Sequence, residues 1–158
     1  MRKRIVGPHY ARQGGESDQR WLDLEEIASV EVTSEDPGFP IENAFACNDG
    51  PGWRASQAGE QQIRIIFDHP VSVHLVELRF HERNCERTQE FVLGWSSESR
   101  GPVTEIVRQQ WNFSPASSIT EIERYTVDLA AVSVLELTIR PDLQRPEAVA
   151  TLGSWCVG

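Results

Sequence analysis

Short stretches of alternating apolar and polar residues recur along most of this chain, and no long amphipathic helix interrupts them. In the stretch 72–81, for example, Val76, Leu78 and Phe80 share one face of an extended strand. Such two-residue alternation is typical of half-buried β-strands. Strands are predicted at 27–33, 62–68, 72–81, 91–97, 103–110, 125–129, 135–139 and 148–155. Because Gly, Pro, Asn or Asp separates these strands, the pattern predicts an all-β, antiparallel sandwich.

The length of 158 residues predicts one domain with a single hydrophobic core. Residues 1–20 are polar and Gly-rich, so we expect a flexible N-terminal segment followed by a single domain over residues 21–158. The segment 21–27, WLDLEEI, fits either a helical turn or a first strand. We expect the domain to be a monomer or a weak dimer.

The net charge and the hydropathy of the chain indicate which classes of partner it can bind. The chain carries 24 acidic and 15 basic residues, for a net charge of −9. Nucleic-acid binding draws much of its affinity from neutralising phosphates, so an acidic domain is a poor candidate for it. No apolar run approaches the ~20 residues of a membrane-spanning helix, so we expect no membrane partner. The basic start MRKR lacks the apolar segment that follows in a signal peptide, which favours a cytoplasmic location.

The three cysteines, Cys47, Cys85 and Cys156, are odd in number and far apart, without CxxC spacing. This pattern predicts neither a disulfide framework nor a zinc site. We therefore expect three free thiols, which is consistent with a reducing compartment.

The order of several short motifs between residues 27 and 156 carries a family resemblance. These motifs are Asn43-Ala44, Asp49-Gly50 and Trp53 in a turn-rich segment, then Pro70-Val71, FVLGWSS (91–97) and VLELTIRP (134–141). The combination resembles the discoidin-like domains, meaning the coagulation-factor C-type domains and family 32 carbohydrate-binding modules of the galactose-binding-like superfamily. The resemblance implies a jelly-roll topology. It also implies a module that binds a ligand with loops at one end of the sandwich.

The resemblance further implies a set of ligand-binding residues. Family 32 modules that bind galactose-type sugars commonly use His, Arg and Asn, and the loop HERNCERTQ (81–89) supplies His81, Arg83 and Arg87 as candidates. A few well-placed polar groups suit the hydroxyls of a sugar. Arg87 either joins this set or pairs with Glu86 or Glu90 at the surface.

Sugar sites of this family also place an aromatic ring against the apolar face of the sugar. Trp111, in QQWNFSP, and Phe39, in a loop between Gly and Pro, are the candidates for that role. Core packing is the alternative for Trp111. Trp53 and Trp95 match core positions of the family, so we expect both to be buried.

Many relatives hold a structural calcium ion in the first long loop, where Asn48 and Asp49 offer part of a ligand set. The Glu ligand that the family carries near its C-terminus is absent from AVATLGSW (148–155), so we expect no metal and no cofactor, with calcium as the less favoured alternative. The chain contains no G-x-S-x-G, P-loop, HExxH or dinucleotide-binding motif. The sequence therefore predicts a protein that is not an enzyme.

Two functions remain after these exclusions. The first is a non-catalytic carbohydrate-binding module, which the loop His, Arg and aromatic residues favour. The second is an intracellular protein–protein interaction module of the same fold, which the acidic composition and the reduced cysteines favour. A concave pocket with an aromatic floor favours the first function, and a flat polar surface favours the second.

Overall fold

A computed structural model describes residues 21–117 and 119–158 of the chain. Within these residues the elements are two short helices, α1 (Leu24–Ile27) and α2 (Glu42–Phe45), and eight strands: β1 (Ala28–Val32), β2 (Trp53–Ala58), β3 (Gln61–His81), β4 (Arg87–Ser96), β5 (Thr104–Phe113), β6 (Thr120–Arg140), β7 (Val149–Leu152) and β8 (Ser154–Val157). All strand pairs are antiparallel, which confirms the predicted all-β sandwich. The predicted flexible segment 1–20 lies outside the described residues.

The two long strands β3 and β6 run through both layers of the sandwich. The first half of β3 pairs with β1 and with the second half of β6, whereas the second half of β3 pairs with β8 and with the first half of β6. β4 and β5 extend the first of these layers in the order β1-β3-β6-β4-β5. The rings of Phe80 and Phe91 stack 5.2 Å apart across the core, which brings the two layers face to face.

The sequence predicted two strands, 62–68 and 72–81, where the structure has the single strand β3. Ile66 pairs with Val134 and Val71 pairs with Val132, so the intervening β3 residues bulge away from β6. Pro70 lies in this bulge. Its lack of an amide hydrogen therefore removes no hydrogen bond from the regular pairing of β3 with β6. The strand therefore bends there and continues into the other layer.

The alternating residues that predicted the strands form the core. Val76, Leu78 and Phe80 are fully buried, and Trp53 and Trp155 are at most 1% exposed. Burying each large apolar side chain is worth roughly 1.5–3 kcal/mol. Trp53 thus confirms its prediction, whereas Trp95 is only partly buried and packs against the margin of the core.

A disulfide joins Cys47 to Cys156, so the expectation of three free thiols is wrong. The two residues are 109 positions apart, but their Cα atoms lie 5.7 Å from each other. The fold creates this proximity because α2 packs on β8, where the rings of Phe45 and Trp155 are 6.2 Å apart. Cys85 is free and exposed.

Within residues 21–117 and 119–158, no helix is long and apolar enough to cross a membrane.

Candidate functional site

A cleft of about 960 Å³ opens at one end of the sandwich, and we refer to it as the main cleft. Its walls include the two-stranded sheet of β2 and β7 and the β3–β4 loop, residues 82–86. The β6–β7 loop, residues 141–148, closes one side. His81, Arg83 and Arg87 all line the main cleft, so the structure brings these three candidates together. Phe39 and Trp111 do not line it.

Glu82 organises the β3–β4 loop from within. Its Oε2 accepts hydrogen bonds from the backbone amides of Asn84 (3.0 Å) and Cys85 (3.3 Å), and its Oε1 accepts one from Arg87 Nε at 2.6 Å. Burial alone would raise the pKa of Glu82, but these hydrogen bonds outweigh it and hold the pKa below its usual value. Glu82 is therefore ionised at neutral pH and fixes the path of the loop.

Arg87 lies under the loop and is 5% exposed. Its partner is Glu82 rather than Glu86 or Glu90, and its Nη1 donates to Gln89 Oε1 (3.0 Å) and to the Pro141 carbonyl (2.7 Å). The guanidinium also lies 4.7 Å from the centre of the Phe113 ring. These contacts hold Arg87 as part of the floor of the main cleft.

His81 ends β3 at the rim of the main cleft. Its Nδ1 lies 3.0 Å from Thr120 Oγ1, which leaves Nε2 as the ring nitrogen for a ligand. Burial lowers the pKa of His81, and the nearby charges of Arg79 and Arg83 lower it further against a smaller opposite effect of Asp49. The imidazole is therefore neutral at pH 7 and can exchange hydrogen bonds with an uncharged ligand.

Gly153 allows the junction of β7 and β8 to approach His81. A Cβ atom at this position would lie 3.0 Å from the Arg79 carbonyl oxygen and 3.2 Å from His81 Cδ2, closer than ordinary van der Waals contact. Gly153 donates a backbone hydrogen bond of 2.8 Å to the same carbonyl. Its lack of a side chain therefore lets the imidazole lie against this junction.

Arg83 is exposed on the β3–β4 loop, Arg145 is exposed on the β6–β7 loop, and both line the main cleft. Within residues 21–117 and 119–158, no carboxylate forms a salt bridge with either guanidinium. Sequence reasoning missed Arg145, because its segment DLQRPEA (142–148) follows the last strong strand pattern and matches no family motif. Topology alone brings this loop next to His81.

The two aromatic candidates lie elsewhere. Phe39 is half-buried, and the guanidinium of Arg54, a residue of the main cleft, covers its ring at 4.4 Å. Trp111 lies on β5 opposite Gln89 and packs against the core, with its indole nitrogen buried. The only Phe, Trp or Tyr among the described residues that line the main cleft is Trp53, which is 1% exposed.

A second titratable cluster lies beneath Arg87, in the interior of the sandwich. Glu121 on β6 is 1% exposed. Burial raises the pKa of Glu121 to about 8, and the neighbouring Glu123 carboxyl raises it as well. Arg87 and Gln89 oppose this rise without cancelling it. Glu121 is therefore mostly protonated at neutral pH.

The two candidate calcium ligands, Asn48 and Asp49, have partners within the protein. Asn48 Oδ1 accepts a hydrogen bond of 2.8 Å from the amide of Gly50, and the Asp49 carboxylate pairs with Arg79. In the part of the chain that the structure describes, no group of three or more His, Cys, Asp or Glu side chains is arranged to hold a metal ion.

No protein-family model matches the sequence, and neither does any curated protein. Solved structures match in fold. The family 32 carbohydrate-binding module of NanJ from Clostridium perfringens, in complex with galactose, aligns with a TM-score of 0.64 at 13% identity, over 87% of this chain and 96% of that chain. The family 32 module of AlyQ, in complex with 4,5-unsaturated mannuronic acid, aligns with a TM-score of 0.61 at 16% identity, over 84% and 95%.

A GH29 fucosidase from Ruminococcus gnavus, in complex with fucose, aligns with a TM-score of 0.66 at 16% identity over 86% of this chain. The match spans only 26% of the fucosidase. Two of these three neighbours are family 32 modules over nearly their whole length, and their fold is the one that the motif order implied. The chain therefore has the fold of the family 32 carbohydrate-binding modules.

Proposed function

We propose that this domain binds a neutral carbohydrate in the main cleft and catalyses no reaction on it. The observation that carries this proposal is the meeting of His81, Arg83 and Arg145 around one preformed cleft, on a fold whose solved neighbours include modules in complex with sugars. The volume of about 960 Å³ lies within the range of roughly 300–1,000 Å³ that is typical of small-molecule sites.

The polar groups of the main cleft suit hydroxyl groups. The exposed guanidinium of Arg83 can donate to two neighbouring oxygens, and the neutral imidazole of His81 offers a further hydrogen-bonding atom. The salt bridge between Glu82 and Arg87 holds the loop that carries Arg83. Because the loop is ordered before binding, a ligand loses less free energy in arranging it.

The charges of the main cleft favour a neutral ligand. Apart from the Arg87–Glu82 pair, three arginines and four carboxylates line it: Arg54, Arg83, Arg145, Asp36, Glu86, Asp142 and Glu147. The two signs nearly balance, and the chain as a whole carries a net charge of −9. An acidic sugar would therefore gain little from the field of this domain.

The absence of an exposed aromatic floor among the described lining residues predicts weak binding. Without a ring stacked on the apolar face of the sugar, hydrogen bonds supply most of the affinity, and each must replace a bond to water. We expect dissociation constants in the millimolar to micromolar range, near −4 to −8 kcal/mol.

The proposal that the domain catalyses no reaction rests on the protonation states and positions of two carboxyl groups, those of Glu82 and Glu121. Glu82 is held ionised by its hydrogen bonds, so it is a poor proton donor. Among the described residues, the carboxyl group with a raised pKa is that of Glu121, and it does not line the main cleft. Proton transfer to a glycosidic oxygen needs a protonated acid beside the substrate.

The disulfide weakens the case for the alternative function. The intracellular interaction module drew support from three reduced cysteines, and the Cys47–Cys156 bond removes that support. Disulfides persist mainly in oxidising compartments. A cytoplasmic location stays a prediction, but the cysteines no longer support it.

Isothermal titration calorimetry with galactose and N-acetylglucosamine tests the proposal. At least one of the two sugars should bind, and Arg83→Ala should abolish binding while leaving the melting temperature unchanged. Arg100→Ala is the matched control, because Arg100 is also an exposed loop arginine but lies outside the main cleft. No binding of either sugar, or equal losses in both variants, contradicts the proposal.

A further inference from the structure

A second cavity of about 370 Å³, which we call the side cleft, adjoins the main cleft. Four residues line both cavities: Glu86, Arg87, Asp142 and Arg145. The two cavities therefore share a wall. The volume of the side cleft lies within the range of roughly 300–1,000 Å³ that is typical of small-molecule sites.

The remaining lining of the side cleft is rich in amides and hydroxyls. It comprises Thr88 on β4, Asn112 and Phe113 on β5, and Ser114 and Gln144 in loops. Thr88 Oγ1 donates a hydrogen bond to Asn112 Oδ1. The amide nitrogen is therefore the part of the Asn112 side chain that can donate to a ligand. Phe113 is fully buried beneath Arg87 and offers no apolar surface.

The wall between the cavities is held in place before any ligand binds. The amide of Leu143 donates to the Thr88 carbonyl at 2.9 Å, which ties the β6–β7 loop to β4. The amide of Gln144 donates to Asp142 Oδ1 at 3.0 Å. Arg87 is fixed from the other side by Glu82 and Pro141.

We propose that the main cleft and the side cleft form one surface for an oligosaccharide, with adjacent sugar units in the two cavities. This inference rests on the proposed function of the main cleft. The shared wall sets the units side by side, and the amide and hydroxyl lining of the side cleft suits a second set of sugar hydroxyls. A peptide would need accessible apolar pockets, which the side cleft lacks because its one large apolar side chain, Phe113, is buried.

Calorimetry with matched probes tests the inference: galactose against β-1,4-galactotriose, and N-acetylglucosamine against chitotriose. A trisaccharide should bind about tenfold more tightly than its own monosaccharide, since one or two added hydrogen bonds of ordinary net strength amount to roughly that factor. Asn112→Trp should fill the side cleft and abolish the gain, with the affinity for the monosaccharide unchanged. Asn112 does not line the main cleft.

Thr104→Trp is the control, because Thr104 is exposed at the other end of β5 and lines neither cavity. The Thr104→Trp variant should keep the full gain in affinity of the trisaccharide over the monosaccharide. The double variant Asn112→Ala/Gln144→Ala removes amides without adding bulk, and it should reduce the gain if Asn112→Trp fails to fold.

Equal affinities for mono- and trisaccharide overturn the inference but leave the proposed function standing. The same conclusion follows if Asn112→Trp folds and keeps the gain. If none of the four sugars binds, the proposed function and this inference both fall.

Discussion

Arg87 and Glu82 form a salt bridge of 2.6 Å, with only 3% of the Arg87 side chain and 17% of the Glu82 side chain exposed. The second carboxylate oxygen of Glu82 holds the amides of the β3–β4 loop. The pair therefore connects the loop that carries Arg83 to the body of the sandwich. Stability and ligand binding should both depend on it.

Replacing Arg87 by Met tests this dependence. The variant leaves Glu82 ionised without its partner in a mostly buried position, and removing one member of such a pair costs about 3 kcal/mol or more. Chemical denaturation should show this loss, and sugar binding should weaken because the loop is less ordered. Glu86→Gln, at an exposed position of the same loop, should change the free energy of unfolding little. Equal stability of Arg87→Met and the parent would contradict the role given to the pair.

Trp53→Ala should lower the free energy of unfolding by about 3–5 kcal/mol, because it removes a fully buried ring and leaves a cavity. Trp95→Ala should cost clearly less, since Trp95 is only partly buried. Urea denaturation of the two variants measures the difference. Similar losses in both would show that the core assignment is wrong.

The disulfide predicts one free thiol. Denatured protein that has not been reduced should react with a thiol reagent only at Cys85, and reduction should raise the count to three. Cys47→Ser/Cys156→Ser should lower the free energy of unfolding by about 2–5 kcal/mol, while Cys85→Ser should not. Three reactive thiols without reductant would restore the original expectation from sequence.

Stability should depend on pH through Glu121. Its pKa is about 8 in the folded state against 4.5 ordinarily, so the folded state keeps a proton that the unfolded chain releases. The resulting stabilisation is fully present below pH 4.5 and is lost as pH rises to about 8. Glu121→Gln should be more stable than the parent at pH 9 by an amount on the order of 3 kcal/mol.

Denaturation curves between pH 5 and pH 9 measure this effect. The curve for Glu121→Gln should be flatter than that of the parent, whereas exposed Glu25→Gln should leave it unchanged. A Glu121→Gln curve that runs parallel to that of the parent would contradict the assignment.

Local alternation predicted the strands and most of the core, because burial on one face of a strand imposes a two-residue period. The merging of strands into β3 could not be predicted from Pro70, since a proline ends a regular ladder but not a bulged one. The sequence also did not predict the full length of β6, because the first half of this strand is only partly buried.

The site was less predictable than the fold. His81 and Arg83 are close in sequence, so both line the same cleft, and their role in ligand binding stays a prediction. Arg145 and the Cys47–Cys156 pair depend on contacts between segments far apart in sequence, which spacing alone does not encode. Trp111 was a plausible stacking residue by position, but the pairing of β5 with β4 packs it against the core.

The most direct test of the central claim is an NMR titration of the ¹⁵N-labelled domain with galactose and N-acetylglucosamine. We expect the largest amide shift changes at residues 81–86 and 151–153, two segments that line the main cleft, with Arg83→Ala removing them. An unchanged spectrum at saturating millimolar sugar, or changes confined to the β4–β5 turn at the opposite end of β4, would contradict a carbohydrate site in this cleft.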